Sequence, residues 1–174
     1  VNEQEQASYF VKMKGRGRST LKVVPRDAAI GALGGFLTIA ILALLTSWTS
    51  NIWIMAPLGA SCVLAFGIWD APLSQPRNVI GGHMISTLTG LVLVHLFGQS
   101  IWVMAAGVGL AIGLMMLTKT THPPAGADPL VVIMANSGWS FLFAPVLVGS
   151  VLIVAAAILI NNLDKKRSYP TFWL

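Results

Sequence analysis

The stretch Thr121-His122-Pro123-Pro124-Ala125-Gly126-Ala127-Asp128 gathers the residue types in this sequence that could do chemistry. Two adjacent prolines stop a preceding helix and suit the first turn of a following one. The N–H groups near Gly126 and Ala127 are then expected to lack intrahelical partners. At membrane depth such groups must find a partner or line a wet cavity, and an anion is one such partner. His122 can add a hydrogen bond or a proton near neutral pH. Asp128, costing about 3 kcal/mol inside a span, is expected early in the next helix, where the helix dipole favours a carboxylate. It could bind a proton, pair with Lys119 or cap the helix, and it would repel an anion unless neutralised. The plainer alternative is a helix–turn–helix corner with His122 at its interface.

An earlier block echoes this one. Pro57-Leu58-Gly59-Ala60-Ser61 shares three of five positions with Pro124-Ala125-Gly126-Ala127-Asp128, at an offset of 124 − 57 = 67. The same offset carries Val79 to Val146, Ile80 to Leu147 and Gly82 to Gly149 without a gap. Each half then reads as a full span, a short Pro/Gly-broken segment and a full span. Three crossings per half is an odd number, so the second half starts from the opposite side, giving an inverted repeat. Broken helices in such repeats meet near the bilayer midplane. Gly59, Ala60, Ser61, His122, Gly126 and Ala127 are therefore the expected substrate-binding residues, with helix N-termini as anion ligands. Valine at Gly59 or Gly126 is expected to block the approach of an anion.

Further polar residues surround this pair. His83 follows Gly81-Gly82 inside a span, where a polar side chain faces the protein interior. His95 is expected at the interface. The linker Trp69–Asn78 reads either as a polar loop with snorkelling Asp70 and Arg77 or as a gate. Asp128, His83, Arg77, Asn78 and Lys119 are the candidates for gating and coupling. No His/Cys/Asp spacing matches a metal site, no phosphate loop is present, and no nucleophile–base pair is evident. Neither catalysis nor a cofactor is expected.

The elements that position these residues are spans. Of 174 residues, 55% are hydrophobic and 10% charged, against about 25% charged in a soluble domain. Between Ala28 and Leu163 only Asp70, Arg77, Lys119 and Asp128 are charged, and Cys62 is the single cysteine. This excludes an ordinary soluble enzyme, a disordered chain and a disulfide scaffold, and leaves an all-α membrane protein. Apolar segments run over 28–46, 52–69, 79–97, 101–118, 124–137 and 141–161. Four are long enough to cross and two are short and Pro/Gly-broken. With all six crossing, Lys12, Lys14, Arg16, Arg18, Lys22, Arg26, Arg77, Lys119 and Lys165–Arg167 fall on one side, as the positive-inside rule requires. A re-entrant second segment would put Arg77 outside. The expected organisation is a basic cytoplasmic tail (1–26), a transmembrane domain (27–163, repeats 27–97 and 98–163) and a cytoplasmic tail (164–174). The basic excess is read as topological, with lipid rather than nucleic acid as its partner. The stripes Gly82/Ser86/Gly90, Gly31/Gly35 and Gly109/Gly113 allow close helix packing, within the chain or between copies in a homo-oligomer.

The chain resembles the HPP family of integral membrane proteins through Thr121-His122-Pro123-Pro124-Ala125-Gly126-Ala127, Pro57–Ser61, Pro72–His83 and the ending Arg167-Ser168-Tyr169-Pro170-Thr171-Phe172-Trp173. The resemblance runs from Pro25 onward. It implies nitrite transport across the cyanobacterial plasma membrane or, alternatively, the chloroplast envelope. The competing expectation is a non-transporting membrane subunit that stabilises or regulates a partner complex.

Overall fold

The structure, a computed structural model, describes residues 13, 17–19, 22–49 and 51–174. Lys12, Lys14 and Arg16 of the expected basic tail lie outside the described residues, as does most of the polar start.

Among the described residues the chain is all-helical. Helix α1 spans Pro25–Trp48, α2 Ala56–Cys62, α3 Pro76–Phe97, α4 Ile101–Leu117, α5 Asp128–Met134 and α6 Val148–Asn161. A π-helical turn, Val63–Gly67, extends α2, and a 3₁₀ turn, Pro123–Ala127, precedes α5. Prolines set several starts. Pro25, Pro57, Pro76, Pro123 and Pro129 occupy first-turn positions, where a missing N–H costs nothing. Gly98, at φ +71°, ends α3, a backbone that side chains resist.

Three helical stretches are long and apolar enough to cross a membrane: Pro25–Trp48, Pro76–Phe97 and Trp139–Asn161. The last is interrupted at Ala144, which is extended before Pro145, as residues preceding proline tend to be. The sequence predicts four long segments. The fourth, α4, has 17 residues, about 25 Å at 1.5 Å per residue, the lower limit for crossing.

The two ends of the bundle differ in charge. At one end Arg26 pairs with Asp164 at 2.7 Å and Arg167 with Asp27 at 3.0 Å. Tyr169 donates to the Ser74 carbonyl, and the Thr171 N–H to Gln75 Oε1. Arg77 donates to the Thr118 carbonyl. The start of α1, the 69–78 linker, the α4–α5 connection and the C-terminal segment therefore meet at this end. The other end carries 49–55, where Trp53 bonds Thr46 and Thr49. It also carries 98–100, where Gln99 donates to the Ile133 and Met134 carbonyls.

The C-terminal segment is not a free tail. Arg167 is buried, donates to the Phe66 carbonyl and Asn161 Oδ1 as well as to Asp27, and lies 3.7 Å from the Trp69 ring centre. The linker is not simply a polar loop either, since Ser74, Gln75 and Asn78 are buried.

Candidate functional site

Helix α3 carries the glycines that let the site assemble. A Cβ on Gly82 would stand 2.7 Å from His122 Cβ and 2.8 Å from the Thr120 carbonyl oxygen. Only hydrogen at Gly82 lets the Thr120–His122 strand lie against the helix. Gly90 receives α5 in the same way, with Pro129 Cα 2.8 Å from where its Cβ would be. Ser86, one turn beyond Gly82, donates to the Ala125 carbonyl at 2.6 Å and fixes the 3₁₀ turn.

This packing brings four side chains together, each fully buried: Ser61 of α2, His83 of α3, His122 before the 3₁₀ turn and Asp128 at the start of α5. Asp128 Oδ2 lies 2.7 Å from His83 Nδ1. His83 Nε2 lies 2.7 Å from Ser61 Oγ, which lies 2.8 Å from His122 Nε2. His122 Nδ1 then meets the Leu73 carbonyl at 2.8 Å. The two imidazoles are edge to face at 5.1 Å. The result is one continuous hydrogen-bonded chain from Asp128 to the linker. Nearby, Asn78 donates to the Thr121 carbonyl at 2.8 Å and holds the strand that carries His122. The buried hydroxyl of Thr87, one turn along α3 from His83, lies beside the Asp128 carboxyl, whose Oδ1 is outside the His83 contact.

Several expectations change here. Gly59 is not a free donor, because its N–H bonds the Met55 carbonyl at 3.2 Å. The helix begins earlier than the sequence suggests, at Ala56. At the second break the Ala125 and Asp128 N–H groups close onto the His122 and Ala125 carbonyls, so the 3₁₀ turn consumes donors that an α-helical start would leave open. Gly59 and Gly126 face open space, with nothing within 4 Å of where a Cβ would stand. Ala60 is exposed, and Ala127 is half-buried. The buried cluster is made by the side chains of Ser61, His83, His122 and Asp128 rather than by backbone donors at Gly59, Ala60, Gly126 and Ala127. The two broken segments do meet: Ala56–Cys62 packs against Pro123–Ala127, and Ser61 of the first and Asp128 after the second both contact His83. His83 is the eighth of 22 residues in α3, about 10 Å from its start, so the cluster sits on the basic side of the middle. Asp128 pairs with His83 rather than with Lys119, which is exposed with φ +58°. Arg77 and Lys119 remain at the end of the bundle.

A nucleophile–base pair that the sequence did not reveal is also present. Asp128, His83 and Ser61 follow the carboxylate–imidazole–hydroxyl order that activates serine. Three separate segments supply them, so no spacing could show it. Ser61 Oγ, however, is enclosed by His83, His122 and its bond to the Pro57 carbonyl at 3.0 Å, with no exposed surface. The contacts along this chain, 2.7–2.8 Å each, are short enough for proton transfer between the side chains.

His95 is exposed and stacks on Trp139 at 4.8 Å. A cleft of about 710 Å³ opens between α1, α2 and Gly67–Asp70, lined by Gly31, Gly35, Gly59 and Cys62 among others, but by none of the four clustered residues. Among the described residues no group of three His, Cys, Asp or Glu side chains could hold a metal ion.

An apolar helical bundle with its charges gathered at one end and a buried ionisable cluster in its interior is a polytopic membrane protein. The chain belongs to the HPP family, whose transmembrane region it matches over residues 21–170. It is similar to two transmembrane proteins of Dictyostelium discoideum. It is 36% identical to one over 177 residues and 33% identical to the other over 179, covering 95% of this chain each time. The chain spans 57% and 63% of the length of those relatives. No solved structure matches it.

Proposed function

We propose that the chain moves a small monovalent anion across a membrane, with nitrite as the first candidate, and that the Ser61–His83–His122–Asp128 cluster is its working site. The observation that carries this is the cluster itself. Ionisable side chains buried in a membrane bundle are costly and mark solute or proton paths. The His83 and His122 imidazoles and the Ser61 hydroxyl supply donors to an anion if a path opens to them, in place of the backbone donors first expected. Nitrite rather than nitrate, formate or bicarbonate rests on the family resemblance. So does the choice of membrane, the cyanobacterial plasma membrane with the chloroplast envelope as alternative.

The proposed architecture is six crossings in two inverted repeats, with both ends of the chain on the basic, cytoplasmic side. Two features support it. The short segments Ala56–Gly67 and Pro123–Met134 correspond at both bounds by the same 67-residue offset (123 − 56 and 134 − 67). The third helix of each half packs on the broken segment of the other: Gly82 of α3 on His122, and Gly149 of α6 on Leu58, whose Cδ1 is 2.6 Å from a Cβ there. A second copy of the chain in the membrane would shield the exposed apolar flanks.

The test is uptake by purified protein in liposomes. Nitrite uptake above protein-free liposomes, reduced in His122→Ala, supports transport. Absence of uptake for nitrite, nitrate, formate and bicarbonate favours the subunit that serves a partner complex.

A further inference from the structure

We infer that the four-residue cluster is a proton-binding site and relay, which holds at least one proton more than a carboxylate and two neutral imidazoles carry. This inference is independent of which solute the protein moves.

The argument is a count of donors and acceptors. The Leu73 carbonyl can only accept, so His122 Nδ1 bears a proton. If His122 is neutral, its Nε2 is then an acceptor and takes the hydroxyl proton of Ser61. Ser61 Oγ must in turn accept from His83, so His83 Nε2 bears a proton as well. His83 Nδ1 faces Asp128 Oδ2 at 2.7 Å. That contact is filled either by Asp128 donating as a neutral acid or by an imidazolium donating to a carboxylate. If His122 is instead the imidazolium, the Ser61 proton points to His83 Nε2, and His83 Nδ1–H meets the carboxylate. Each arrangement that fills the four contacts from Asp128 to the Leu73 carbonyl with the Ser61 hydroxyl shared between the imidazoles contains the additional proton, and each of these leaves the cluster with no net charge. Without that proton a lone negative charge is buried, and two bare Nε2 atoms compete for one hydroxyl hydrogen. If the hydroxyl proton of Ser61 goes instead to the Pro57 carbonyl at 3.0 Å, Ser61 Oγ accepts from both imidazoles and the cluster holds a second additional proton.

The relay follows from the same contacts. A proton on Asp128 passes to His83 Nδ1, the His83 Nε2 proton passes to Ser61 Oγ, and the Ser61 proton passes to His122 Nε2. Three protons each move across one hydrogen bond. The acid becomes a carboxylate, His122 becomes an imidazolium, and His83 and Ser61 end neutral. Asp128 Oδ1 and Thr87 Oγ1, buried beside each other, continue the polar chain on the far side of Asp128. The relay ends on His122, whose Nδ1–H is held by the Leu73 carbonyl toward the basic end.

Few other ionisable groups face the cluster. Helices α4 and α6 carry none, α5 has only Asp128, and α2 adds the buried thiol of Cys62. Arg77 and His95 stand near the two ends of α3, and Arg26 and Asp27 at the start of α1 are paired with Asp164 and Arg167. The titration is therefore governed by the four residues themselves.

The test uses the full chain in lipid bilayers with ¹⁵N-histidine, read by solid-state NMR. The sequence has three histidines, and a His95→Gln variant assigns the exposed one. At neutral pH the inference requires a proton on the Nε2 of His83 or of His122, together with Nδ1–H on His122. As pH rises, one proton should leave the cluster in a single step. Bare Nε2 atoms on both imidazoles at neutral pH would overturn it. Ser61→Ala cuts the relay without removing either end: His83 should still respond to pH with Asp128, while His122 stops responding in concert. Unchanged, concerted titration of both histidines in that variant would also overturn it.

Discussion

Gly82→Ala adds one methyl group at the point where α3 touches the strand carrying His122. The new carbon would lie 2.7 Å from His122 Cβ and 2.8 Å from the Thr120 carbonyl oxygen, where ordinary contact begins at 3.4 Å. Both neighbours are fixed near the backbone, so the strand must retreat by roughly 1 Å. Overpacking of this kind costs about 1–3 kcal/mol, which a bundle with this much buried surface tolerates. The greater effect falls on the chain of hydrogen bonds. A retreat of that size stretches the 2.8 Å Ser61–His122 contact beyond hydrogen-bond range. Nitrite uptake by the purified variant in liposomes is expected to fall by about 10²-fold, as for misplacements of about 1 Å elsewhere. Its thermal midpoint in detergent should drop only modestly. Gly113→Ala, with nothing within 4 Å, is the matched control and should behave as wild type. Wild-type uptake together with an unchanged His122 NMR signal in Gly82→Ala would refute the reasoning.

Arg167→Ala removes a buried guanidinium and leaves Asp27, the Phe66 carbonyl and Asn161 without their donor; it should lose about 3–5 kcal/mol by thermal denaturation in detergent, with Arg167→Lys recovering only part because one ammonium cannot span the same fork. Gly59→Val and Gly126→Val face open space and should assemble and transport within about twofold of wild type, a modest change set by helix propensity; uptake assays beside size exclusion check this. Burial raises the Tyr169 pKa, so the fold favours the neutral phenol that donates to the Ser74 carbonyl. The stability from that bond is present below about pH 10, the unfolded value, and is lost as pH rises beyond it; thermal scans against pH should show a decline there that Tyr169→Phe lacks. For topology, Asp70→Cys and Ser140→Cys, both at exposed positions, should label oppositely in intact cells, with Ser140→Cys reacting from outside and Asp70→Cys protected.

The class of protein was legible because it depends on composition: an apolar chain whose charges cluster near its ends can only be a membrane bundle. The 67-residue offset located both short segments. Ser61, His122 and Asp128 each stood out, and His83 was placed facing inward, yet their union was not legible. The contact that joins them needs Gly82 to admit a strand 40 residues further on, and no periodicity within α3 encodes that approach. The 3₁₀ turn at Gly126 was not legible for a local reason. Consecutive prolines followed by small residues fit a 3₁₀ turn, and that turn closes the N–H groups which an open α-helical start would have left free. Arg167 looked like a topological charge in a tail, because its partner Asp27 lies at the far end of the sequence.

The most direct test of the cluster as the working site is the initial rate of nitrite uptake into liposomes holding purified wild type or Ser61→Ala. The substitution removes one buried oxygen that links both histidines and leaves the apolar packing nearly intact. Loss of such a link, about 1–3 kcal/mol, corresponds to a rate lower by roughly 5- to 150-fold. Wild-type uptake well above protein-free liposomes, with Ser61→Ala reduced to that extent while still folded, is the predicted result. Equal rates for the two proteins, or wild-type uptake no greater than that of protein-free liposomes, would contradict it.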